Sequence, residues 1–165
     1  MPRPMQVATS PVGQVPEIKS LTSTASPNAG LVRGALVVMT AGVIDLCGAD
    51  PASIAGVAMQ DASSAPGFNA ANTPATITGR VNRISTATAN SITEFSAELT
   101  NGSTVRIAPV QADVGASYGV TAYANFWTVD KAKTGGTARV QVTRIDDSLN
   151  LVYFKFLRAN QQLVP

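Results

Sequence analysis

The chain has 165 residues, 45% hydrophobic, 13% charged and 5% aromatic, with 12 Lys+Arg against 10 Asp+Glu, one Cys and no His. That length supports one domain able to bury roughly 70% of its unfolded surface. The lack of an imidazole excludes a Ser-His-Asp triad, a Cys-His pair and His-ligated zinc; lone Cys47 can close no internal disulfide, and a formal charge of +2 offers little counterion release on nucleic acid.

The start, Met1-Pro2-Arg3-Pro4-Met5, is polar and broken by proline, so no secretory leader is expected. Residues 1–30 hold five of the ten prolines, no aromatic and three charges. Proline lacks an N–H and restricts its predecessor, so this stretch reads as an extended arm, neither helix nor central strand. A solvated tail is the plain reading of such an end. The spaced apolar residues Met5, Val7, Val12, Val15, Ile18 and Leu21, with few charges to solubilise them, favour an arm lying along a partner or another subunit.

Residues 31–165 read as a separate β-rich domain of short β-branched runs punctuated by Gly, Asn, Asp and Pro. Gly34 to Thr40 and Val43 to Cys47 flank Ala41-Gly42 as a tight hairpin. This apolar window falls short of the ~20 residues that cross a bilayer, so it is a core segment. Asp50-Pro51 has the residues of a helix start and predicts one helical turn. Ile54 to Gln60 reads as a strand and Ala62 to Pro74 as a loop.

In Ile92 to Thr100, alternation sets Phe95, Ala97 and Leu99 on one face and Glu94, Ser96 and Glu98 on the other. Pairing Leu99 with Val105 and Ala97 with Ile107, through a three-residue loop at Asn101 to Ser103, keeps one apolar face. Seven of the nine aromatics follow residue 117, which predicts the densest packing there. Tyr118 to Val129, Thr137 to Ile145 and Leu151 to Leu157 read as three long strands, with Val152, Phe154 and Phe156 on one face. The fold class is therefore all-β, a small barrel or sandwich of eight to ten strands with an extended N-terminal arm.

Candidate chemistry is sparse. Glu94 and Glu98 share a strand face, but four strand residues span about 13 Å, beyond the ~5 to 9.5 Å of glycosidase carboxylates, so solvated surface is the expectation. Asp146-Asp147 lacks the spaced oxygens of a calcium loop and reads as a turn. Cys47 has no basic neighbour in sequence and is expected to be inert and buried. Arg80, Arg83 and Arg106 could form a basic strip, yet no aromatic for base stacking lies between Phe68 and Phe95. Asn101-Gly-Ser is a formal glycosylation sequon and reads as a turn; Gly135-Gly136 lacks a phosphate-loop context. No catalytic residue, cofactor or metal is expected.

Two regions carry a resemblance. Gly34-Ala-Leu-Val-Val-Met-Thr-Ala-Gly-Val43 followed by Ser53-Ile-Ala-Gly-Val-Ala-Met-Gln-Asp61 resembles the opening of small capsid decoration, or cement, proteins of tailed bacteriophages, where a hairpin precedes such a strand. Val114-Gly-Ala-Ser-Tyr-Gly119, Phe126-Trp-Thr-Val-Asp130, Arg139 to Asp146 and Val152-Tyr-Phe-Lys-Phe-Leu157 are similar to the closing half of that group. The resemblance implies a non-enzymatic virion protein on the capsid exterior, often trimeric and bridging major capsid protein subunits; the start, the low charge and the short apolar window separately predict synthesis in the cytoplasm with no nucleic-acid or membrane partner. Under the resemblance, the arm would order on the capsid and supply much of the grip. The alternatives are another phage structural subunit, of tail or head completion, or a carbohydrate-binding adhesin domain using Tyr123 or Trp127 as a sugar platform.

Overall fold

A computed structural model describes residues 3–9, 17–22, 32–40, 43–59, 83–123 and 126–162. Their strands are β1 (Gln6–Thr9), β2 (Glu17–Thr22), β3 (Leu36–Thr40), β4 (Val43–Leu46), β5 (Gly56–Ala58) and β6 (Arg83–Thr88). There follow β7 (Glu94–Thr100), β8 (Arg106–Ile107), β9 (Ser117–Tyr123), β10 (Phe126–Asp130), β11 (Val140–Asp146) and β12 (Leu151–Phe156). The class is all-β, as the sequence predicts. The twelve described strands exceed the expected eight to ten because the N-terminal stretch supplies two and Tyr118 to Val129 divides into a hairpin.

One sheet closes on itself. Strand β7 pairs with β12, β12 with β11, β11 with β9 and β9 with β10, all antiparallel, and β10 returns to β7 in parallel through Val129↔Leu99. The alternate residues Phe95, Leu99, Val120, Val129, Val142 and Phe154 are buried, and closure leaves no free edge around this ring. Strand β1 adds to β7 through Val7↔Phe95. The other sheet runs β2-β6-β5-β3-β4, so β1 and β2 both end a sheet. Edge placement is what proline-flanked segments allow, because an edge strand tolerates a missing donor.

Gly56 fixes the β5–β6 spacing: a Cβ built there would lie 2.1 Å from the Ala87 carbonyl oxygen. The chain ends tie the sheets together. Met5 is 1% exposed and belongs to the common core, beside Gly34, whose Cβ would meet its carbonyl oxygen at 2.9 Å. Near the other end, Ile54 N–H donates to Asn160 O (2.8 Å) and Gln162 N–H donates to Ile54 O (2.9 Å). The Gln162 side chain also accepts from Met39 N–H (2.7 Å) and donates to Met39 O, standing in for a strand partner.

Four local expectations need correction. No helical turn forms at Asp50-Pro51; Pro51 and Ala52 turn their carbonyls to Arg139 Nε (2.6 Å) and Asn160 Nδ2 (2.9 Å) instead. Strand β5 is shorter than Ile54 to Gln60, since Ile54 bridges Gln161. The Tyr118 to Val129 run reverses, pairing Tyr123 with Phe126. The β7–β8 register is Leu99↔Ile107, two residues from the expected Leu99–Val105 pairing. Parity survives, so the apolar face is kept. The wider loop is held from outside: Asp130 Oδ1 accepts from Gly102 N–H (2.8 Å), and the Tyr123 hydroxyl donates to Ser103 O.

Candidate interaction face

The outward parity of β7 carries Glu94, Ser96 and Glu98, and here the expectation of solvated carboxylates is overturned. Glu94 is 9% exposed and Glu98 is 4% exposed. Arg144 donates from Nε to Glu94 Oε2 (2.9 Å), with Nη2 also at 2.9 Å, and the Thr143 hydroxyl donates to Oε1. Glu98 Oε1 accepts from Arg3 N–H (3.1 Å), and its Oε2 lies 2.8 Å from Arg106 Nε. Charge burial is costly unless the charge is paired, and each carboxylate lies beneath a guanidinium whose stem covers it. The Arg144 guanidinium also stands 3.3 Å from the centroid of the Tyr153 ring.

Register assembles these groups. Tyr153 faces Ser96, Arg144 faces Tyr153 and Leu151 faces Glu98 across the β11–β12–β7 ladders, so residues far apart in the chain form one outer surface. Three clefts of about 560, 450 and 340 Å³ cross it. The first two share the lining residues Arg3 and Leu149, and the second and third share Glu98 and Arg106, so the three lie side by side as one grooved face. Its far end holds the side chains of Tyr123 and Phe126. An exposed aliphatic lines the groove: Leu149 is 43% exposed. Arginine and tyrosine beside aliphatic surface are the residues that anchor protein contacts.

Other sequence candidates resolve as supports. Asp146 Oδ1 accepts from the Ser148 hydroxyl (2.6 Å) and Leu149 N–H (3.0 Å), which hold its carboxyl below the usual range and shape the expected turn. Cys47 is buried as expected, and desolvation, aided by the Asp45 charge, pushes its thiol up to about 12. Trp127, a suggested sugar platform, is 2% exposed and packs in the core; Tyr123 is half-buried beside the groove. Among the described residues no group of three His, Cys, Asp or Glu could hold a metal, and no helix is long and apolar enough to cross a membrane.

The fully buried Asp113 accepts from Tyr118 Oη (2.7 Å), Lys131 Nζ (2.6 Å) and Val110 N–H (2.8 Å). Burial alone would raise its carboxyl; the bonds from Lys131, Val110 and Tyr118 outweigh that and hold it below the ordinary value. Desolvation, then the Asp113 bond and charge, push the Tyr118 hydroxyl up to about 12. A depressed folded value means that the stabilisation is complete above pH ~4 and fades as pH falls through the folded value. Asp113→Ala is therefore expected to cost about 2 kcal/mol or more at pH 7, and denaturant titrations should show the gap to wild type narrowing below pH ~3. An equal gap at both pH values would mean that the carboxylate charge contributes nothing.

The residues assigned to a partner-binding arm separate. Met5 is corrected: it lies in the chain's own core and cannot reach a partner. Val7 is partly buried against the same core. Ile18 and Leu21 pair through their backbones with Thr86 and Ile84 of β6. Val12, Val15, Ala62 to Pro74 and Arg80 lie outside the described residues. Of the suggested basic strip, Arg106 pairs with Glu98. The groove residues Arg3, Arg144, Leu149 and Tyr153 were not legible as a group; the available signal was the shared parity of Glu94 and Glu98, which admits covering cations as well as water. Comparison with models of protein families, with curated proteins and with solved structures finds no match for the chain.

Proposed function

We propose that the protein is a structural subunit that binds the outer surface of an icosahedral phage capsid, bridges major capsid protein subunits and acts as a homo-oligomer, a trimer being favoured. The observation that carries this reading is where the resembling segments fall in the fold. Gly34 to Val43 spans β3 and enters β4 of a hairpin, Ser53 to Asp61 contains β5, and the closing segments build β9 to β12 of the barrel. The groove with exposed arginines and an exposed leucine agrees with a protein that works by contact. A ligand that binds only the assembled shell stabilises it by mass action, which is the physical content of the role.

Deleting residues 1–30 would be an ambiguous test, because it removes Met5 from the core and two strands from their sheets. The intact chain is the better reagent. Its solution mass by light scattering, and its co-sedimentation with purified expanded heads lacking it, should reveal a trimer that pellets with heads and raises their melting temperature. A monomer that stays in the supernatant, or one that instead binds glycans on an array, would reject the reading.

A further inference from the structure

Among the described residues, strand β8 has one used edge and one free edge. Thr100 O accepts from Lys131 N–H (2.9 Å) on the β10 side, so the backbone groups of Leu99, the next residue along β7, face the other way, toward Ile107. By strand alternation the N–H and C=O of Arg106 and Ala108 then point away from β7. Among the described residues, β8 pairs with no strand other than β7. The 450 Å³ cleft lies between Arg106-Ile107-Ala108 and the Ser148-Leu149-Asn150 turn, with Glu98 and Arg3 also lining it. An unpaired strand edge of this kind is a template for an added strand.

The lining selects the occupant. Arg3 is exposed and its guanidinium has no ion-pair partner among the described residues. Arg106 approaches Glu98 only through Nε, an ion-pair contact of 2.8 Å, and among the described residues its terminal nitrogens make no ion pair, while a guanidinium carries five donors. Bidentate capture of a carboxylate is what such forks favour. Exposed Leu149, which lines the cleft, asks for an aliphatic side chain beside that carboxylate. Nucleic acid fits poorly, because the described lining of the cleft holds no aromatic for base stacking and a carboxylate, Glu98, lies beside Arg106.

We propose that this cleft receives an extended segment of a shell protein that adds a strand to β8 and places an acidic side chain between Arg3 and Arg106, with an aliphatic neighbour against Leu149. This rests on the capsid reading and names the surface that carries it. Three variants probe separate elements: Ala108→Pro removes the outward N–H, Leu149→Asp repels a carboxylate-bearing strand, and Arg3→Ala removes the guanidinium that has no ion-pair partner among the described residues. Each residue is exposed, so thermal unfolding should stay near wild type and qualifies each variant for use.

The experiment measures binding of wild type and variants to expanded heads lacking the protein. Folded Ala108→Pro and Leu149→Asp should each weaken binding by at least about tenfold, and Arg3→Ala should weaken it most at low salt. Wild-type binding with variants equal to it overturns the cleft proposal and leaves the capsid reading standing. Failure of wild type to bind heads overturns both. If the variants instead lose oligomer mass in solution and bind heads unchanged, the occupant is a second copy and the proposal falls.

Discussion

Replacing Gly56 with alanine is expected to lower the unfolding free energy by about 3 kcal/mol or more, the upper end of overpacking effects. The added methyl would meet Ala87 O at 2.1 Å, Thr86 Cγ2 at 2.7 Å and the Ala87 carbonyl carbon at 2.9 Å. Two of the three obstacles are backbone of the adjacent strand, so no rotamer change relieves them. The strands must separate, and with them the pairings Val57↔Ala87 and Leu36↔Val57 that hold β5 between β6 and β3. For a chain of this size the loss corresponds to a melting temperature roughly 10 °C lower. Gly136→Ala is the control, because nothing lies within 4 Å of a Cβ there. Near-equal melting of the two variants would mean that β5 and β6 are not packed at the distance described.

Periodicity carried the sequence reading where one face of a strand is buried and local neighbours decide the rest. The β3–β4 hairpin forms as its Ala41-Gly42 interval suggests, with Thr40↔Val43 closing the pair. Val152, Phe154 and Phe156 do share the buried face of β12. Local pattern failed where distant groups set the outcome. The β7–β8 register depends on Asp130 and Tyr123, side chains of other strands that grip the intervening loop. Asp50-Pro51 has the residues of a helix start, but Arg139 and Asn160 take the carbonyls a helix would use.

The groove was the least legible feature for the same reason. Arg3 reaches Glu98 across 95 positions and Arg144 reaches Glu94 across 50, so no window of sequence contains either pair. Alternation told which side of β7 the carboxylates occupy. It could not tell that two arginines, Arg106 and Arg144, and the backbone N–H of Arg3 would cover them, because an outward strand position serves solvent and a capping cation equally well.

Strand β12 separates the two roles within one element, and Phe154→Ala is the substitution that exposes the separation. Phe154 is fully buried and pairs across strands with Phe95, their ring centroids 6.1 Å apart. Phe156 meets Phe154 edge-on at 5.5 Å and Phe95 at 5.0 Å, which closes an aromatic triad inside the barrel. Truncation to alanine removes a ring from both contacts and leaves a cavity that a closed ring of strands cannot easily collapse into. The expected cost is about 3 to 5 kcal/mol, read as a lower denaturant midpoint at unchanged slope. Phe154→Leu keeps most of the volume and should cost less. Tyr153, one position earlier, faces out beneath Arg144, so Tyr153→Ala should cost only about 1 kcal/mol while removing one wall of the groove. If the two alanine variants lost equal stability, the inner and outer faces of β12 would not be distinct, and the placement of the groove on the barrel exterior would fail with them.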